Sequence, residues 1–169
     1  EQALGLIGDA QLLTGVDPSV GMMKASRLAG KVPLLAARAE QLPLPDHCVD
    51  FVSMGYALRH LGDLDAAFAE FRRVLKPGGR ICMLEITRPA SHWGRKLLKA
   101  YLRGWVPLAA RLSGAATQTP RLWRYYWDTI DACTPPQRIE EILRAQGLTD
   151  VRTVIELGVF YEYHARAPL

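Results

Sequence analysis

Asp17 stands at the end of an apolar run, Gln11 to Val16, and is followed at once by Pro18 and Ser19. A carboxylate placed there can accept from both hydroxyls of a ribose, a bidentate geometry that neutral side chains reproduce poorly. The same residue can also be read as a turn-forming Asx residue before a proline. Three further apolar runs end near Ala39, Met54 and Glu85, so polar groups recur where successive parallel strands run out. In open α/β sheets, ligands bind at such ends. Arg59 and His60 follow the Met54 end. A fixed guanidinium can stabilise an oxyanion, and an imidazole titrating near neutral pH can take a proton. Their plainer readings are a salt bridge on the helix that follows and a helix cap. Glu85 could orient Arg59 or Arg88, or form a structural ion pair of its own.

The elements that must position these residues are legible from punctuation and periodicity. Gln2 to Ile7 reads as the tail of a helix, and Gln11 to Val16 as a short strand closed by Asp17-Pro18-Ser19. A helix over Met22 to Leu28 is stopped by Gly30, and a strand follows over Val32 to Ala36. The prolines of Leu42-Pro43-Leu44-Pro45-Asp46 make that stretch a loop before a buried strand, Val49 to Met54. Asp63 is placed to cap a helix whose apolar residues Leu64, Ala67, Phe68, Phe71, Val74 and Leu75 fall on one face. Lys76-Pro77-Gly78-Gly79 ends it, and Arg80 to Ile86 forms the next strand. A helix over Pro136 to Ala145, capped by Gly147, precedes strands Val151 to Leu157 and Val159 to Ala165, joined tightly at Gly158. The expected fold is a doubly wound α/β sheet with a terminal antiparallel hairpin and a helical insertion after Pro89.

With 169 residues, 49% of them hydrophobic, the chain suits one domain over 1–169 and has no stretch approaching the roughly 20 apolar residues of a membrane span. Cys48, Cys82 and Cys133 are odd in number and far apart, with no CxxC pair or histidine at metal-ligand spacing. They read as reduced, cytoplasmic and structural, with no metal expected. The net charge of +4 is unevenly placed: from Ile86 to Trp127 there is no Asp or Glu, while eight Lys or Arg and all four tryptophans fall there. Around a helical wheel over 92–112, Trp93, Leu97, Leu98, Tyr101, Leu102 and Trp105 occupy one half, and Arg95, Lys96, Lys99 and Arg103 the other. Such a helix can lie against an anionic membrane surface, or pack on its own domain with the basic stripe solvated. Pro107 is expected to kink or end it near Val106, and a Gly114 to Pro120 loop to lead into an aromatic helix over Leu122 to Ile130.

Three segments, LLTGVDPS at 12–19, ARAEQLPLPDHCVDFVSMGYALRHL at 37–61 and RVLKPGGRICMLEITRP at 73–89, resemble the class I S-adenosylmethionine-dependent methyltransferases. The resemblance is strongest to the ubiquinone/menaquinone-biosynthesis C-methyltransferase branch and extends to the C-terminus. It implies a Rossmann-like seven-strand sheet and S-adenosyl-L-methionine as cofactor. Asp17 would hold the ribose, with Pro18 and Ser19 beside the ribose and the adenine edge, and with Ala39, Glu40 and Tyr56 completing the cofactor contacts. Arg38 stands where many relatives carry an acidic residue, and it can only donate. Tyr56-Ala57-Leu58-Arg59-His60-Leu61 is similar to the branch's Phe-Gly-Leu-Arg-Asn-Val segment, which gives Arg59 and His60 the catalytic positions. Tyr125-Tyr126-Trp127-Asp128-Thr129-Ile130 matches a Tyr-Leu-x-Glu-Ser-Ile segment, and Tyr101 an upstream aromatic. Tyr101, Tyr125 and Tyr126 would line the substrate pocket, within a helical lid over 90–130.

The family's first strand and its GxGxG-like turn should precede Asp17 by a helix and a strand. Gly5-Leu6-Ile7-Gly8 follows no apolar strand and has the wrong glycine spacing, so the chain reads as lacking that strand. Methyl transfer from a sulfonium needs alignment and exclusion of water more than a protein nucleophile. The expected acceptor is a small phenolic or quinol-like molecule, with or without a prenyl chain. Nucleic acid is not an expected partner, since the aromatic pattern contains no reading module. Residues 92–112 are expected to touch the inner face of a membrane from the cytoplasm. Without the glycine turn, a noncatalytic binding or scaffold subunit is the alternative.

Overall fold

The computed structural model describes Gly5 and residues 7–89, 91–112 and 119–169. The expected helix over Gln2 to Ile7 falls mostly outside these residues, as do 113–118 of the expected loop.

Among the described residues, six strands fall into two sheets. β1 (Gly15–Asp17) and β2 (Leu34–Ala36) pair in parallel, with Asp17 opposite Ala36. The other sheet has the order β3-β4-β6-β5, built from β3 (Val49–Gly55), β4 (Leu75–Ile86), β5 (Thr149–Glu156) and β6 (Phe160–Arg166). β3 and β4 run parallel, whereas β6 is antiparallel to both β4 and β5. The fold is thus the expected mixed α/β class, with its terminal hairpin. The hairpin closes through Leu157 and Gly158, both at positive φ, with the Val159 N–H donating to the Glu156 carbonyl. Two such residues give the twist that matches flanking strands.

Burial alternates along β4, where Leu75, Gly79, Ile81, Met83 and Glu85 face inward. They meet Tyr161, Tyr163 and Ala165 of β6 and two helices, α2 (Leu64–Val74) and α6 (Pro136–Ala145). Asp63 caps α2 as the sequence indicates, accepting from the Ala66 N–H at 3.0 Å. Ala67, Phe68, Phe71 and Val74 form its buried stripe.

Several boundaries move. Asp9 accepts from the Gln11 N–H and starts a 3₁₀ turn over Ala10–Leu12, so the expected strand from Gln11 shrinks to Gly15–Asp17. α1 spans Val20–Ala25, starting earlier than expected because Ser19 accepts from the Met22 N–H. β2 begins at Leu34, since Pro33 just before it has no N–H to give the ladder. Lys76-Pro77-Gly78-Gly79 does not precede β4 but is a bulge inside it: Val49 pairs with Leu75 and Phe51 with Arg80, while Gly78 takes a left-handed φ. β3 is only half covered. Val52 and Met54 pack on the core, whereas Phe51 is 54% exposed.

The segment after Pro89 is helical. α3 (His92–Ala100) passes through a π turn (Tyr101–Trp105) into α4 (Val106–Leu112), and α5 (Thr119–Asp131) packs across them. Pro107 does not end the helix near Val106. The Val106 N–H reaches back to the Tyr101 carbonyl, and this wider turn absorbs the irregularity ahead of the proline.

Candidate functional site

The ends of β1, β3 and β4 carry the residues the sequence singles out. Asp17 closes β1, and its Oδ1 accepts from the Ser19 N–H at 2.7 Å. The Asx reading is thus realised. One oxygen fixes the turn, and Oδ2 has no protein hydrogen bond among the described residues. A half-buried carboxylate with one oxygen committed and one available fits a ribose diol. Ser19 spends its hydroxyl on the cap of α1, and Pro18 is exposed beside it.

The loop after β2 is tied to the loop after β3. Glu40 Oε1 accepts from the Gly62 N–H at 3.0 Å and lies 3.3 Å from Arg38 Nη2. The Arg38 guanidinium, hydrogen-bonded to it, holds the Glu40 carboxyl below its ordinary range. Ala39 packs on the main core. Arg38 is thus partnered with its neighbour, and Glu40 positions Gly62, a link whose 22-residue separation left no local signal in the sequence.

Tyr56 follows β3 at φ 56°, a left-handed conformation that non-glycine residues seldom adopt, and its N–H donates to the Leu84 carbonyl at 2.7 Å. This turn delivers a 3₁₀ segment, Leu58–His60, over the end of β4. Glu85 there is fully buried, and the Arg59 side chain only 7% exposed. The Glu85 carboxylate takes the Arg59 Nη1–H, the Arg59 main-chain N–H at 3.0 Å and the Ile86 N–H at 2.8 Å. Arg59 Nε is buried and has no partner among the described residues. A buried donor without a partner is costly, and it suits a ligand oxygen. Glu85 thus pairs with Arg59 and not with Arg88. Arg88 instead donates to the Asp131 carbonyl at 3.0 Å.

His60 stacks on Tyr125 of α5, with ring centroids 6.2 Å apart and planes 7° from parallel, and Tyr126 adjoins Tyr125 at 6.4 Å. The structure brings these three together. Tyr101 lies elsewhere: with Leu97, Leu98, Ile155, Leu157 and Tyr161 it lines an open apolar groove of about 620 Å³ between α3 and the β5–β6 hairpin. A smaller polar pocket of about 330 Å³, with Arg88, His92 and Arg95, shares Pro89, Ser91 and Tyr161 with it. The apolar half of the 92–112 wheel also divides. Leu98 and Leu102 turn inward onto Trp127 and Ile130, whereas Trp93, Leu97 and Trp105 are 74%, 69% and 68% exposed. Lys96 lies over the Trp93 ring.

Comparison with known proteins places this geometry in context. A family model described as a methyltransferase domain matches residues 2–83. The demethylmenaquinone methyltransferase of Roseiflexus castenholzii is 34% identical over 149 residues, which cover 83% of this chain and 59% of that protein. A ubiquinone/menaquinone biosynthesis C-methyltransferase of Pseudomonas putida is 33% identical over 153 residues, covering 86% and 59%. The chain thus spans about three-fifths of the length of these relatives. Among solved structures, an S-adenosylmethionine-dependent methyltransferase of Thermotoga maritima superposes with a TM-score of 0.63 at 21% identity, covering 90% of this chain and 72% of that one. Phosphoethanolamine N-methyltransferase 2 of Haemonchus contortus, in complex with S-adenosyl-L-methionine, gives 0.66 at 15% identity, covering 99% and 45%.

Proposed function

Because the chain belongs to the class I S-adenosylmethionine-dependent methyltransferases, we propose that it serves methyl transfer to a small phenolic or quinol-like acceptor carrying a prenyl tail. The observation that carries this reading is the buried Arg59–Glu85 pair with its unpartnered Nε–H, beside the His60–Tyr125 stack. The cofactor supplies an electrophilic methyl group. Asp17 holds the ribose through Oδ2, Pro18 and Ser19 border it, and the tied loop of Ala39 and Glu40 faces the base. Tyr56 closes the cofactor side.

On the acceptor side, Glu85 fixes Arg59 so that a donor meets the ring oxygen as negative charge develops there. His60 takes the acceptor proton. Tyr125 and Tyr126 hold the ring and exclude water, and the groove bordered by Tyr101 takes the apolar tail. Segment 90–130 acts as a lid. Its exposed Trp93, Leu97 and Trp105, with Lys96, Lys99 and Arg103 alongside, rest on an anionic membrane surface from which such an acceptor is drawn.

Three experiments test this reading. Calorimetric titration with S-adenosylhomocysteine is expected to give heat at micromolar ligand, and incubation with labelled donor and a demethylmenaquinol is expected to label the ring. Binding without transfer to any phenol or quinol would favour a noncatalytic binding subunit, a reading supported by the separation, among the described residues, of the β1–β2 pair from the four-stranded sheet. Co-sedimentation with anionic vesicles at low salt, lost in a Trp93→Ser/Trp105→Ser variant, tests the lid; no sedimentation would end the membrane part.

A further inference from the structure

β4 and β6 pair so that Cys82 lies opposite His164 and Leu84 opposite Glu162. Ile81, Met83, Tyr161, Tyr163 and Ala165 point into the core beneath α2 and α6. Alternation therefore puts Cys82, Glu162 and His164 together on the other face of the sheet, where all three are half-buried. Glu162 Oε1 lies 3.4 Å from Cys82 Sγ and 2.9 Å from His164 Nε2, and the three ligand atoms all fall within 4.8 Å of one another.

We infer that Cys82, Glu162 and His164 form a site for a zinc-class dication, held by Sγ, a carboxylate oxygen and Nε2, with a fourth position open. A thiolate, an imidazole and a carboxylate are the ligand types zinc takes, and three protein ligands leave room for water or an exchangeable ligand. Tetrahedral coordination at zinc's usual bond lengths separates sulfur from oxygen by about 3.6 Å and nitrogen from oxygen by about 3.3 Å. The two distances to Oε1 need to open by only a few tenths of an ångström, and Sγ and Nε2, which lie within 4.8 Å, need to sit about 3.6 Å apart. Both ligand strands are rigid sheet elements bonded to each other, so little ordering is needed on binding. On binding, the Cys82 thiol gives up its proton to solvent, and His164 coordinates as neutral imidazole. Ser53 is the β3 register partner of Cys82, and Arg152 the β5 partner of His164, so these two residues border the cluster across the sheet. The site faces away from Glu85 and does not depend on the methyltransferase reading.

Cobalt(II) titration of the whole chain tests this. One equivalent is expected to produce a near-ultraviolet thiolate-to-metal charge-transfer band with visible bands of tetrahedral cobalt. Chelator competition with zinc is expected to show Cys82→Ser and His164→Ala weakened at least about tenfold, as even outer-shell changes cost that much, while Cys48→Ser binds normally. In labelling prolonged until Cys82 is modified in the metal-free protein, zinc should also protect Cys82, and not Cys48, from alkylation in the unsubstituted protein, a readout that stands if a variant fails to fold. Absence of the charge-transfer band, full affinity in Cys82→Ser, or an unprotected Cys82 would each overturn the site.

Discussion

Glu85 gathers the side chain and the main chain of Arg59 onto one buried carboxylate. Because 26 residues separate them, this pair fastens the loop after β3 to the end of β4. Removing one partner leaves the other charge buried and uncompensated, a change that typically costs about 3–5 kcal/mol. Glu85→Ala is therefore expected to lose stability of that order in urea unfolding. An Arg59→Met/Glu85→Leu double replacement should recover much of it, since neither charge is then left alone.

Asp17 fixes a turn, and one substitution separates that task from the proposed grip on the ribose. Asparagine keeps an oxygen for the Ser19 N–H but loses the charge. If Asp17 holds the ribose, Asp17→Asn should weaken S-adenosylhomocysteine by about 10- to 100-fold, matching the roughly 1.5–3 kcal/mol of hydrogen bonds to a charged group. Asp17→Ala should be no better. Unchanged affinity in Asp17→Asn, read by calorimetry, would assign the residue to the turn alone.

The Tyr163 hydroxyl is buried with no hydrogen-bond partner among the described residues, and burial keeps its proton on well above the ordinary phenol range. An unsatisfied buried hydroxyl is a liability. Tyr163→Phe should be neutral or more stable by about 1 kcal/mol, judged from the denaturation midpoint. A loss of stability would reveal a partner for that oxygen.

Burial, with help from the Glu162 carboxylate, pushes the Cys82 thiol up to about 11 from an ordinary value of 9.0. A raised value in the folded chain means that this group's contribution to stability is complete below pH 9 and fades as the pH climbs to 11, because the unfolded thiol ionises first. Without metal, alkylation of Cys82 should stay slow until that window. Glu162→Gln should shift the reactivity profile to lower pH, as measured by site-resolved labelling.

Much of this was legible in the sequence because it is local. Asp63 before a helix, the stripe of Phe68 and Phe71, and Gly158 between two strands each carry their own stereochemical instruction, and the structure follows them. Arg59 and Glu85 could each be singled out from their places at strand ends, yet the choice between Arg59 and Arg88 as the partner of Glu85 needed the third dimension. The Glu40–Gly62 link, the cluster of Cys82 with Glu162 and His164, and the stack of His60 on Tyr125 join residues 22, 80 and 65 positions apart. No periodicity reports such pairs. The wheel over 92–112 showed an apolar half but not that this half divides between Trp127 and solvent. Pro107 pointed to a break, whereas the chain found a wider turn.

That wider turn carries one surplus residue between α3 and α4. A helix that lost it would close its bonds in the ordinary pattern, and everything from Val106 onward would swing through about 100° relative to Trp93. The insertion thus acts as a rotational spacer. It sets which way Leu108 looks independently of Leu98 and Leu102, so the outward aspect of this helical segment can be retuned without disturbing the side chains that anchor it on Trp127 and Ile130.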